Sequence, residues 1–249
     1  MVRSLADRTF QLRREVAAPP PERDAHEDDH DDAEPARQEE MLRSITQRLL
    51  EKKANITAGD LYQMLKCTHI PLTDKRQSVS RGQKVETRAF GAVVHQVTKD
   101  VYICKEKEEK SKQYENVIRI LCRFMQQKNP SFKFSTIQIN KNYAAAPHRD
   151  GNNRGPSALI ALGDFEGGGE LEVEVEVEAV ASWRTRLTVE RLSAKNRLVY
   201  FDGNNKHWVN SWKKGTRYSV VFFTIGNYRT FAPDVMERLR LLGFPIDLS

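Results

Sequence analysis

His148-Arg149-Asp150 places an imidazole and a carboxylate two residues apart. In an extended chain residues i and i+2 project to the same side, about 6.5–7 Å apart at Cα. The two side chains can then take adjacent positions on one metal ion. A second imidazole completes a two-histidine, one-carboxylate set, which leaves positions open on Fe(II) for a co-substrate and O2. His207, 57 residues after Asp150, supplies it. The other histidines compete poorly: His26 and His30 lie in an acidic stretch, and His69 and His95 have no carboxylate two residues away. A lone His-x-Asp is common by chance, so the specificity must come from residues further along the chain.

Ten residues after His207 stands Arg217, with Ser219 two further on, in Gly215-Thr216-Arg217-Tyr218-Ser219-Val220-Val221-Phe222-Phe223-Thr224. In a strand Arg217 and Ser219 share one face, and most of their neighbours are apolar. A buried cation needs an anionic partner. The guanidinium fork grips a carboxylate through two bonds and a nearby hydroxyl adds a third. That arrangement would hold the distal carboxylate of 2-oxoglutarate.

With these residues in place, the chain resembles the Fe(II)/2-oxoglutarate-dependent dioxygenases over about residues 134–226. The likeness rests on His148-x-Asp150, Gly167-Gly168-Gly169-Glu170-Leu171, Phe201-Asp202-Gly203 ahead of His207, and Arg217-x-Ser219. It implies Fe(II) on His148, Asp150 and His207, 2-oxoglutarate on Arg217 and Ser219 with Asn140 and Tyr143 assisting, and O2 as co-substrate; ascorbate is a further possible requirement. The implied reaction is oxidation of a C–H bond. His148 to Ser157 running into Leu162 to Gly168 is similar to the TET/JBP branch, which oxidises the methyl group of 5-methylcytosine or thymine in DNA. That branch implies a flipped base, with Asn142, Asn152, Asn153 and Arg154 flanking the metal motif as candidate substrate contacts. The rival readings are a dioxygenase acting on a protein side chain or an N-alkylated base, and an inactive barrel that binds nucleic acid. Prolyl hydroxylases typically carry Lys where this chain has Arg217.

The elements that must position these residues read as α+β, a double-stranded β-helix (jelly-roll) core flanked by N-terminal helices. Leu42, Ile45, Leu49 and Leu50 sit at helical spacing over about 41–53. Thr57-Ala58-Gly59-Asp60 resembles a capping box before a second helix. Strands are expected at Thr87–His95 and Val101–Lys105, then a longer helix carrying Tyr114, Val117, Ile118, Leu121 and Met125 that Asn129-Pro130 ends. From Phe132 the period becomes two, with strands at 134–139, 159–162, 170–178, 183–189, 198–201 and 218–224. Along Glu170–Glu178 acids alternate with apolar residues, a line rather than a cation cage; Arg184 and Arg186 are the expected cross-strand partners.

Composition sets the frame: 249 residues, 39% hydrophobic and 30% charged, ordinary for a protein with a real core. No apolar run approaches a membrane span, and the first residues show no secretory signal. Three scattered cysteines, Cys67, Cys104 and Cys122, exclude a disulfide scaffold and suit a reducing compartment, nuclear or cytoplasmic. Residues 1–40 hold 6 basic and 12 acidic side chains, a sum of −6. This segment reads as a disordered acidic tail. Residues 41–249 hold 34 and 22, a sum of +12, which suits DNA bound through a basic face. Basic residues at 75, 76, 81, 84, 88, 99, 105, 107, 110 and 112 are the candidates for that face. The expected organisation is one monomeric domain over 41–249: helical support 41–130, jelly-roll core 131–226 and a C-terminal extension 227–249.

Overall fold

The structure is a computed structural model that describes residues 33–74, 80, 82–95, 98, 100–103, 108–178, 185–226 and 230–246. Its helices are α1 Ala33–Glu51, α2 Ala58–Cys67, α3 Glu108–Lys128 and α4 Pro233–Leu241. Its strands are β1 Leu72–Thr73, β2 Val85–Val94, β3 Val101–Ile103, β4 Thr136–Lys141, β5 Asn153–Gly163, β6 Leu171–Glu178, β7 Thr185–Leu192, β8 Val199–Phe201, β9 His207–Val209 and β10 Arg217–Ile225.

Seven strands form one sheet, in the order β1-β2-β4-β10-β5-β8 with β3 on β2; β7-β6-β9 form a second. All these pairs are antiparallel. The alternation of strand side chains builds two cores. Ile137, Ile139, Ile160, Leu162, Val220 and Phe222 face the helices and pack with Leu49, Leu61, Leu65, Leu121 and Leu239. Their sequence neighbours Leu159, Ala161 and Val221 face the second sheet, meeting Leu171 and Val173. The fold is therefore an α+β jelly-roll core with helices on the outer face of its large sheet. No described helix is long and apolar enough to cross a membrane.

Local chemistry sets the boundaries. Thr57 accepts from the Asp60 N–H at 3.1 Å and Asp60 accepts from the Thr57 N–H at 2.8 Å, so the expected capping box starts α2. α1 begins at Ala33, ahead of the expected Met41: Pro35 sits in its first turn, where its missing N–H costs nothing, and Ala36–Glu40 are good helix formers, although Glu34–Glu40 are exposed. β5 begins at Asn153 and contains Pro156; the ladder to β10 shifts register between Phe222 and Thr224, where a missing N–H does least harm. β9 escapes the periodicity because it has three residues. The extension after 227 contains α4, opened by Pro233 and buried through Val235, Met236 and Leu239.

Among the described residues the Glu row is charge-paired, but not by Arg186. Glu172 bonds Arg191 at 2.7 Å and Glu174 bonds Lys206 at 2.9 Å. Arg186 stands opposite Val177 and so shares the valine face; Arg184 lies outside the described residues, as do residues 1–32 of the acidic segment.

Candidate metal and co-substrate site

The two histidines meet through the backbone. His148 N donates to His207 O at 3.0 Å and His207 N to His148 O at 2.9 Å. Asp150 N donates to Gly203 O at 2.8 Å, which lays the segment after His148 along the chain leading into β9. The imidazole centroids are 4.2 Å apart. His148 Nε2 and His207 Nε2 lie 3.6 and 3.7 Å from the two oxygens of Asp150. One ligand atom from each of the three residues falls within 4.8 Å of the others.

The surroundings fix the tautomers. Each Nδ1 lies 2.8 Å from a backbone carbonyl, Ala146 O for His148 and Asn205 O for His207. A carbonyl only accepts, so each Nδ1 carries the proton and each Nε2 presents its lone pair to Asp150. Burial pushes the His207 pKa down, favouring the neutral form that ligates. Asn153 Nδ2 donates to Asp150 Oδ2 at 3.2 Å and to Ser157 Oγ at 3.3 Å, orienting the carboxylate. Two imidazole nitrogens and one carboxylate, pre-oriented on one face, are the donor set that suits Fe(II).

Arg217 opens β10 and is 1% exposed. Its Nε and Nη2 are buried without a hydrogen-bond partner among the described residues. The guanidinium lies 5.5 Å from the Phe165 ring and 5.6 Å from that of Trp212. Burial pushes its pKa down to about 10, and Glu170 opposes that only in part. Gly169 has φ +87°, and a Cβ there would sit 2.8 Å from Phe165 and 3.2 Å from Arg217 Nε, so glycine makes the space for the guanidinium. On the same strand face Ser219 Oγ accepts from Asn140 Nδ2 at 3.1 Å, and Asn140 Oδ1 accepts from Thr87 Oγ1 at 2.7 Å. The Ser219 proton is therefore left to donate elsewhere.

Between the sheets lies a cavity of about 100 Å³. His148, Asp150 and His207 line it, as do Asn140, Tyr143 and Ser219, with Leu171 and Val221 on its walls. A second cleft of about 620 Å³ shares Tyr143, Ala145 and Val209 with it and carries Lys84, Lys141 and Trp208.

The remaining sequence candidates separate. Asn153 is buried against Asp150, whereas Asn152 on the turn before it and Arg154 after it in β5 are exposed. Asn142 has φ 49°, and its Oδ1 accepts from Arg217 N at 3.0 Å, holding the start of β10. Among the basic candidates only Lys84 and Arg88 have described side chains. Arg88 stacks on Tyr114, 3.8 Å from the ring centroid, and so packs against α3. Sequence reasoning missed Phe165 and Trp212 beside Arg217. The three consecutive glycines at 167–169 were the available signal of a crowded neighbour.

No protein-family model matches the sequence, and no curated protein matches it. Similar solved structures are 2-oxoglutarate–Fe(II) oxygenases and relatives. NgTET1 in complex with 5mC DNA shares 18% identity over 68% of this chain and 74% of that one, TM-score 0.37. An oxidoreductase of the 2OG-Fe(II) oxygenase family from Burkholderia pseudomallei shares 16% over 76% and 94%, TM-score 0.45. A prolyl-4-hydroxylase from Pseudomonas putida shares 13% over 74% and 98%, TM-score 0.34.

Proposed function

We propose that the chain is an Fe(II)- and 2-oxoglutarate-dependent dioxygenase. The observation that carries this reading is the Arg217 guanidinium, buried with two donor nitrogens unpartnered among the described residues, on the strand face that leads past Ser219 to the histidine–aspartate cluster. A cation kept in that condition calls for an anionic ligand. A small dicarboxylate with a keto group meets both ends of the site.

His148, Asp150 and His207 would hold the metal, each with its donor atom already aimed. When bound, the ferrous ion supplies O2 activation, with 2-oxoglutarate as the two-electron reductant, for oxidation of a substrate C–H bond. The protein's own part is binding and orientation. Arg217 grips the distal carboxylate through its fork and Ser219 Oγ–H donates to the same group. Asn140 fixes the serine, while Leu171 and Val221 keep water from the cavity wall.

For the substrate, the reading is the methyl group of 5-methylcytosine in DNA. Its support is the likeness of residues 148–168 to the TET/JBP branch, the +12 charge sum of residues 41–249, and the cleft that adjoins the cavity through Tyr143 and Val209. Trp208 gives that cleft a ring and Lys84 a cation, while Lys141 there is paired with Glu86 at 2.8 Å. Incubation with methylated and unmethylated duplex DNA, followed by nucleoside mass spectrometry, tests it. Oxidised methylcytosine from the methylated duplex alone is expected. Unchanged nucleosides alongside succinate formation would overturn the DNA assignment and leave the co-substrate assignment standing.

A further inference from the structure

We propose that two copies of this chain associate through β7, pairing antiparallel about a two-fold axis at Thr188. Nothing in this pairing depends on the proposed chemistry. Among the described residues β7 lies at the end of its sheet, hydrogen-bonded to β6 on one side. Which of its backbone groups face outward is set by the ladder. Glu174 N donates to Lys206 O at 2.8 Å and Asn210 N to Glu170 O at 3.0 Å, so the even-numbered residues of β6 bond toward β9. Its odd-numbered residues then bond toward β7, where Val173, Val175 and Val177 oppose Glu190, Thr188 and Arg186. Leu187, Val189 and Arg191 therefore direct their N–H and C=O groups to the open edge.

That edge is self-complementary. With the axis at Thr188, Leu187 pairs with the second copy's Val189, and these are the residues whose backbone groups face outward. Arg186 falls opposite the second copy's Glu190 in the non-hydrogen-bonded position, where side chains stand closest. By symmetry each pair occurs twice. Leu187 is 61% exposed and Val189 48%, large apolar side chains on an open edge. Moving the axis to Leu187 or Val189 sets Arg186 against Thr188 or Leu192 and loses its ion pair within β7. Charged side chains and prolines on an edge discourage pairing, but of the three charges on β7, Arg191 is paired with Glu172, and Arg186 and Glu190 stand symmetric about Thr188, where each answers the other's charge. One strand pair buries less than a standard interface, so the dimer is weak and concentration-dependent, joining two three-stranded sheets into one of six.

Sedimentation velocity of the full chain from micromolar to millimolar concentration tests this. The average mass should rise toward that of a dimer. Arg186→Glu and Glu190→Arg, each creating two like-charge contacts, should weaken association by about tenfold. The combined Arg186→Glu/Glu190→Arg variant should restore it. Thr188→Cys, which changes no charge, should give a disulfide-linked dimer on mild oxidation, because each Thr188 faces its own copy. A chain that stays monomeric throughout, a dimer indifferent to the single substitutions, or a double variant that fails to recover would overturn the proposal.

Discussion

His148 and His207 exchange backbone hydrogen bonds in both directions, at 3.0 and 2.9 Å, although 59 positions separate them in the chain. This single bridge brings both Nε2 atoms within 3.7 Å of Asp150 and leaves each Nδ1 bonded to a carbonyl. Main-chain hydrogen bonds thus hold the two histidines together.

Ligand loss and positioning loss should be separable. Asp150→Ala removes a donor and should abolish Fe(II) retention and turnover. Asn153→Ala leaves all three donors but frees the carboxylate, and should weaken Fe(II) by about 10–100-fold, the usual cost of an outer partner. Metal titration followed by melting temperature checks both. Wild-type affinity in Asn153→Ala would show that Asp150 is oriented by its backbone alone.

Arg217 should cost the ligand-free protein stability. Its burial and lowered pKa mark a cation held at a loss. Replacing even a buried ion pair with well-packed apolar residues is often neutral or gains about 1–4 kcal/mol, and a charge without its anion has no pairing energy to lose. Arg217→Met is therefore expected to raise the melting temperature without 2-oxoglutarate by roughly 2–4 °C per kcal/mol gained. It should also abolish the rise that 2-oxoglutarate gives the wild type. A lower melting temperature in the variant would mean that the guanidinium has a protein partner.

Much of this site was legible because its residues are chemically unusual for where they sit. His-x-Asp, a later His and an Arg inside an apolar strand each demand explanation, and their order is readable without a fold. The face alternation in β5 and β10 was likewise visible, since a two-residue period survives in any register. What escaped depended on distance in space. Nothing local distinguishes Asn153, which orients Asp150, from its exposed neighbours Asn152 and Arg154. Asn142 invited a substrate role, yet its side chain holds the Arg217 backbone. The partners of the Glu row depended on strand register, which set Glu172 opposite Arg191 and Arg186 opposite Val177.

Gly169→Ala tests the crowding around the guanidinium. The added methyl meets Phe165 and Arg217 Nε in a backbone conformation that disfavours side chains. It should weaken 2-oxoglutarate by about tenfold or more, the scale of one lost charged hydrogen bond. Fe(II) affinity should stay near the wild-type value. A parallel loss of metal would show that the substitution disturbs β6 and β9 as a whole.

The buried His207 gives the ligand-free protein an acid-sensitive element. Its folded-state pKa lies below the unfolded value, so the unfolded chain takes the proton first. Stability from this residue is full above about pH 6.5 and is lost as pH falls through that value. Melting curves from neutral to mildly acidic pH should show a steeper decline for wild type than for His207→Asn. Equal slopes would contradict the assignment of a neutral, buried ring.

The central claim is that one site holds a metal at one end and a 2-oxo dicarboxylate at the other. Anaerobic titration of 2-oxoglutarate into the Fe(II)-loaded protein tests it most directly, read by heat and by the visible charge-transfer band expected of a chelated 2-oxo acid. Wild type should bind one equivalent and develop the band. Arg217→Ala should keep Fe(II) yet bind 2-oxoglutarate roughly 10²-fold more weakly, the loss of a charged fork. Arg217→Lys should fall between, and Ser219→Ala should lose about tenfold or less. Asp150→Ala should give no band at any concentration. Wild-type protein that holds Fe(II) but neither binds 2-oxoglutarate nor changes colour, or an Arg217→Ala variant that binds it unimpaired, would contradict the account.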